Sequence, residues 1–351
     1  MSEHRHATIA PEGTRAHARV LKRVLQIVAL VALIVAGTKL LGSVRELPVS
    51  TPMASAATGA SPAQATDGAA VGAPVFALPD SVRGLSKALR FMTLTSAQAL
   101  SLPGFLQRYG ELAIHAPAVH QVTLPTGEPF ALIVLRPFGE KRGESLNGYR
   151  LGRWPAERWM MARNYYNPDG FVEVTPDNVH LQLSEHFVLG DFTTHDQTDV
   201  WPKYVVLQPK LIDKLELVMQ DLQSHGYPAS RALVLSGFRA PYYNDRGVGE
   251  GMARASRHQY GDASDVLIDA NGDGAMDDLN HDGRIDLSDV APVSAAVARV
   301  EARYPTLVGG LGTYTAMGPS GPFAHIDVRG SSARWESGWW KSKAARKDSA
   351  Q

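Results

Sequence analysis

From residue 24 to residue 37 the chain is apolar except for Gln26, and Leu40 and Leu41 carry the run past Lys39. A helix over residues 24–42 is about long enough to cross the hydrocarbon core of a bilayer, with Lys39 reaching back toward the interface. Arg15, Arg19, Lys22 and Arg23 precede the run. The positive-inside rule therefore keeps residues 1–23 in the cytoplasm and sends the remainder across. A cleaved signal peptide competes with this reading, but Lys39, Leu40 and Leu41 stand where a small-x-small cleavage site would follow. The expectation is an uncleaved, single-pass anchor in the cytoplasmic membrane, with the globular part in the periplasm or outside the cell. Residues 43–74 are rich in Ala, Ser, Thr, Pro and Gly. They lack the large apolar side chains that would offset the entropy of ordering, and so read as a flexible linker.

The 351 residues leave room for one or two domains beyond that linker. Thirty-five basic residues balance 35 acidic ones, and no long basic run lies in the globular part, which argues against a nucleic-acid partner. There is no cysteine. Disulfides, thiolate metal sites, cysteine nucleophiles and an anchor through a lipidated cysteine are excluded, so a transition-metal site must be built from His, Asp or Glu.

Hydrophobic spacing predicts an α+β fold, a small mixed sheet with flanking helices. Residues 75–178 read as an accessory α+β module. It has a helix-like stretch over residues 81–100, alternating apolar runs at 130–135 and 171–174, and a turn with a short strand and exposed aromatics in LNGYRLGRWP at 146–155. Residues 179–345 read as the chemically active domain. Leu211, Ile212, Leu215, Val218, Met219 and Leu222 recur at the spacing of a helix with one buried face, ended by Gly226, Tyr227 and Pro228. Residues 232–235 form a short apolar strand leading into SGFR, residues 293–304 a second amphipathic helix, and residues 323–328 another strand.

Two segments of this domain carry candidate ligands. SRHQYGDASD, residues 256–265, offers His258 and Asp265; FAHIDVRG, residues 323–330, offers His325 and Asp327. Residues two apart on a strand share a face, so His325 and Asp327 should project together. Either pair alone is a common surface coincidence. Two imidazoles and a carboxylate, with a fourth position for water, is however a composition of catalytic zinc sites.

SGFRAPYYN (residues 236–244), SRHQYGDASD and AHIDVRG, in this order, resemble the zinc D-alanyl-D-alanine carboxypeptidases and the related murein endopeptidases. LSEHFVLGDF (183–192) and WPKY (201–204) are similar to the segment that opens this domain in many members, so the resemblance spans residues 183–335. It implies His258, Asp265 and His325 as zinc ligands, and Arg239 as the cation that binds substrate or stabilises a developing oxyanion. It further implies hydrolysis of peptidoglycan stem peptides or crosslinks by a D,D-carboxypeptidase or D,D-endopeptidase. The alternatives are an L-Ala–D-Glu endopeptidase on the same metal site and an inactive wall-binding pseudopeptidase. Many members place a base carboxylate three residues before the third ligand, where this chain has Pro322. Asp327 is the nearest substitute, as general base or as a group that orients a histidine. Glu250 is a weaker candidate for the base, and Glu185 and His186 read as structural.

Between the two ligand segments lies an acidic insertion, residues 269–290. Asp278, Asn280, Asp282, Gly283, Asp286 and Asp289 fall at positions one, three, five, six, nine and twelve of an EF-hand loop. The run resembles the calcium loops of dockerins. Asp269, Asn271, Asp273, Gly274 and Asp277 begin the same pattern nine residues earlier and end on Asn280, so the two loops overlap. The expectation is structural Ca²⁺ that stabilises the insertion.

Overall fold

A computed structural model describes residues 73–158, 165–249, 251–315 and 318–337. The expected anchor at 24–42 and nearly all of the linker lie outside the described residues, as does Glu250. Among the described residues, no helix is long and apolar enough to cross a membrane.

The chain is mixed α+β, as its spacing predicts. It begins with strand β1 (Phe91–Leu94), three short helices α1 (Ser96–Ser101), α2 (Phe105–Tyr109) and α3 (Leu112–His115), and strands β2 (Ala118–Thr123) and β3 (Pro129–Val134). These strands form a sheet in the order β1-β3-β2, with β3 parallel to β1 and antiparallel to β2. The helix expected over residues 81–100 is not there: a 3-10 turn, β1 and α1 share that stretch. Two local contacts explain the break. The buried carboxylate of Asp213 accepts the backbone N–H groups of Leu85 and Ser86, each at 2.8 Å, and fixes a turn that no helix can pass through. Thr95 then starts a new helix by accepting from Gln98 N–H while the Gln98 side chain accepts from Thr95 N–H.

Next come β4 (Arg136–Pro137), the hairpin strands β5 (Ser145–Leu146) and β6 (Tyr149–Arg150), α4 (Pro155–Arg158), β7 (Gly170–Val174) and β8 (Lys203–Val205). Strands β4, β7 and β8 form a second small sheet in that order. The remainder is α5 (Pro209–Ser224), β9 (Ala232–Ser236), α6 (Pro241–Arg246), β10 (Ala263–Ile268), α7 (Val290–Arg303), β11 (Gly310–Tyr314), β12 (Phe323–Asp327) and β13 (Ala333–Ser337). The five-stranded sheet runs β13-β11-β12-β10-β9; its pairs are antiparallel except β11 with β13.

Strand β3 divides two apolar layers by its period of two. Phe130, Leu132 and Val134 face a small cluster with Phe76, Phe105 and Ile114, while Ala131 and Ile133 join the main core. That main core also takes in Trp154, Phe171, Tyr204, Leu215, Val266 and Ile326. No break in it marks the boundary expected near residue 178. Tyr149 and Trp154, expected to be exposed, are instead fully buried in this core, and Trp154 crosses that boundary, donating its indole N–H to Gln259 O at 2.8 Å, inside the SRHQYG segment.

Helix α5 buries the six apolar residues its periodicity predicts, and Asp213, Lys214 and Glu216 besides. It is therefore covered on more than the one face expected. Each buried charge has a partner: Asp213 the turn after residue 84, Glu216 the backbone and ring of His186, and Lys214 both Glu301 on α7 and the Asp327 carbonyl on β12, at 2.7 Å each. Burying such charges unpaired would cost several kcal/mol apiece. The pairing is what permits a helix so covered.

Candidate metal centre

One row of residues crosses the five-stranded sheet. Trp335 on β13 pairs with Gly312 on β11, Gly312 with His325 on β12, His325 with Asp265 on β10, and Asp265 with Ser236 on β9. Directly paired residues point to the same side of a sheet, so two candidate ligands lie side by side on neighbouring strands. The register of β9 against β10 shifts just after Asp265, a bulge of the kind that re-aims a side chain. His258 arrives from outside the row, on the 3-10 turn Arg257–Tyr260 that leads into β10. Gly261 ends that turn at φ +64°, where an added Cβ would collide with the Val206 carbonyl. Glycine alone fits there.

The three side chains converge as expected. His325 Nδ1 lies 2.9 Å from Asp265 Oδ1, His258 Nε2 lies 3.1 Å from His325 Nδ1, and His258 Nε2 lies 3.3 Å from Asp265 Oδ1. Ligand bonds of 2.0–2.1 Å in a tetrahedron put the ligand atoms about 3.3 Å apart, close to this spacing. All three residues are buried, and among the described residues they are the one group of three or more His, Asp or Glu side chains gathered closely enough to hold a metal ion.

The outer contacts fix which ring nitrogens are free. His258 Nδ1 sits 2.7 Å from the Gly237 carbonyl, which can only accept, so the proton stays on Nδ1 and Nε2 keeps its lone pair. His325 Nε2 faces Asp327 Oδ2 at 3.2 Å, which leaves Nδ1 toward His258 and Asp265. Burial, aided by the Arg239 charge, pushes the His258 pKa down to about 4, so this imidazole is neutral and ready to ligate near pH 7. Burial acts the same way on His325, but hydrogen bonds to Asp265 and Asp327 override it and raise its pKa. Burial opposes ionisation of Asp265 too, and His258 and Arg239 override it, holding the carboxyl well below its usual range.

Asp327 is fully buried, and its oxygens are spoken for. Oδ1 accepts from Gly310 N–H at 2.6 Å and from Arg329 N–H at 3.0 Å; the Arg329 guanidinium pairs with Oδ2, which also meets His325. Asp327 thus lies behind His325, on the ring nitrogen that points away from the other ligands. Of the two roles expected for it, this geometry matches orientation of a ligand and gives no support to a general base. Arg239 is buried as well. Its Nε donates to Ser236 Oγ at 2.7 Å and its terminal nitrogen pairs with Asp265 Oδ2, so it braces a ligand. Pro322 directly precedes β12, and His186 and Glu185 take no part in the cluster.

Trp335, Tyr314 and Gly312 join the site without a motif that singles them out. Trp335 packs on His325, ring centres 5.2 Å apart, by lying over Gly312, where a Cβ would run into the indole. Its N–H donates to the Tyr314 hydroxyl at 2.9 Å. The available signal was the strand GLGTY, in which a glycine sits two residues before an aromatic: strand glycines often mark a close approach.

The insertion spans the gap from β10 to α7. Asp269 is fully buried; its Oδ2 meets Arg231 at 3.0 Å and Gly274 N–H at 3.3 Å, and its Oδ1 has no hydrogen-bond partner. Asp277 accepts from Ala270 N–H, Asp278 from Asp282 and Gly283 N–H, and Asp289 from Leu279 and Asp286 N–H. These carboxylates do not close into a three-donor group like the one above.

A scan of known protein families and searches of curated proteins and of solved structures found no match to this chain.

Proposed function

We propose that this protein is a zinc metallohydrolase, and more particularly a peptidase that cuts peptidoglycan stem peptides or crosslinks as a D,D-carboxypeptidase or D,D-endopeptidase. The observation that carries the reading is the buried His258–Asp265–His325 cluster, with both histidines oriented so that each turns a ring nitrogen to the centre. The donor set and its spacing fit zinc. When bound there, zinc would polarise a carbonyl and lower the pKa of a coordinated water to near neutrality. The chain's own residues prepare that chemistry. Gly237 and Asp327 hold the two imidazoles, and Arg239 holds Asp265 in place. The sequence resemblance supplies the substrate class, and the basic residues and apolar run before residue 43 support an anchored enzyme facing the wall.

Incubating the purified chain with muropeptides and separating the products tests the reading. Free D-alanine or split crosslinks support it. A cut between L-Ala and D-Glu identifies the related endopeptidase, and retention without products the pseudopeptidase.

A calcium ion in the insertion goes with this reading. The buried, unpartnered Oδ1 of Asp269 is what supports it, since a carboxylate oxygen out of water and without a donor is costly unless a cation meets it. Calcium should raise the melting temperature, because a ligand of the folded state alone stabilises it. Asp273→Ala combined with Asp282→Ala should abolish the shift. A wild-type melting temperature indifferent to calcium would reject the ion.

A further inference from the structure

Tyr314 lies on the ligand-bearing face of the sheet. It is two residues beyond Gly312, which pairs with His325, and it pairs with Phe323, two residues before His325. Its ring stacks on Phe323 at 4.6 Å with the planes 2° apart. Its hydroxyl oxygen accepts the Trp335 indole N–H, and no acceptor for its own proton is found among the described residues. The phenol is therefore held by a stack, a strand and an incoming hydrogen bond from Trp335, whose ring packs on His325, and its donor is unspent among the described residues. Burial pushes its pKa up, and the Asp265 charge adds to this, so the hydroxyl stays protonated.

We infer that the Tyr314 hydroxyl is a catalytic residue of the peptidase proposed above, donating a hydrogen bond to the scissile carbonyl oxygen as it becomes negative, and that Trp335 is the residue that positions it. The inference rests on the peptidase reading. In the step concerned, the water oxygen bonds to the carbonyl carbon while the π pair moves onto the carbonyl oxygen. Tyr314 donates to that oxyanion and keeps its proton. The pair then returns, the C–N bond breaks, and the amine leaves with the proton that the water gave up. A fixed donor of this kind needs no reorganisation during reaction, which is what makes such donors effective.

Tyr314→Phe keeps the ring and its stack and removes only the hydroxyl. On the zinc-loaded full chain, kcat for a peptide ending in D-Ala–D-Ala should fall by roughly 10²–10³-fold, the usual effect of losing one such donor. KM, zinc content and melting temperature should hold. Trp335→Phe, which removes the indole N–H, should give a smaller loss of the same kind. Calorimetry supplies a readout free of turnover. A phosphinate analogue of the tetrahedral intermediate should bind Tyr314→Phe more weakly than wild type, by a factor like that in kcat. Wild-type turnover and phosphinate affinity in Tyr314→Phe would overturn the inference and leave the peptidase reading standing. A wild-type chain that neither cleaves the peptide nor binds the phosphinate would overturn both.

Discussion

Asp327 is the residue on which two accounts of this site part company. A carboxylate beside a metal can take a proton from water, or it can hold a ligand by the far side of its ring. The hydrogen bonds from Gly310 and Arg329 and the contact with His325 Nε2 match the second task. Asp327→Asn should therefore weaken zinc binding by roughly 10–100-fold, with activity restored by excess zinc. A general base would behave otherwise: the rate would fall roughly 10²–10⁴-fold while zinc content stayed full. The sequence placed His325 and Asp327 on one face correctly. Arg329, two residues along, was within local reach of the carboxylate, but nothing in the sequence marked Gly310 closing over it, because that contact depends on β11 lying beside β12. Arg239 was legible as a site residue only through the resemblance of its loop, and its contact was not, because Asp265 reaches it through the pairing of β9 with β10.

At the level of elements, α5 shows where periodicity stops informing. Its apolar stripe was readable residue by residue, but three charged residues on its other faces are buried against parts of the chain far away in sequence. Glu216 is one of them, and it accepts from both the backbone N–H and the Nδ1 side of His186, at 2.7 and 2.8 Å. The hydrogen bond to Glu216 raises the His186 pKa against the effect of burial. A raised folded-state pKa stabilises the protein fully below the unfolded value of 6.5, and the contribution is lost as pH rises through the folded value. Comparing the urea stability of wild type with His186→Gln should show the widest gap below about pH 6.5, on the order of 2 kcal/mol for a charged hydrogen bond. The gap should narrow as pH rises. A gap constant between pH 5 and 9 would mean that the pair does not titrate in this range. The helix expected over residues 81–100 failed on a similar point, since Asp213 on α5 fixes a turn that no local pattern records.

Across the described residues, the segments before and after residue 178 build one structure around the His258–Asp265–His325 cluster. β3 lends one face to the main core, Trp154 pins the loop that carries His258, and Lys214 joins α5 and α7 to the strand of His325. The candidate ligands therefore stand on paired strands and a braced turn, positions that the fold itself sets. Zinc bound per chain, measured by elemental analysis after dialysis against metal-free buffer, tests this most directly. About one equivalent is expected in the wild type and far less in His258→Ala and in His325→Ala, because two remaining ligands cannot hold the ion tightly near neutral pH. A full equivalent retained by either variant would contradict this ligand set.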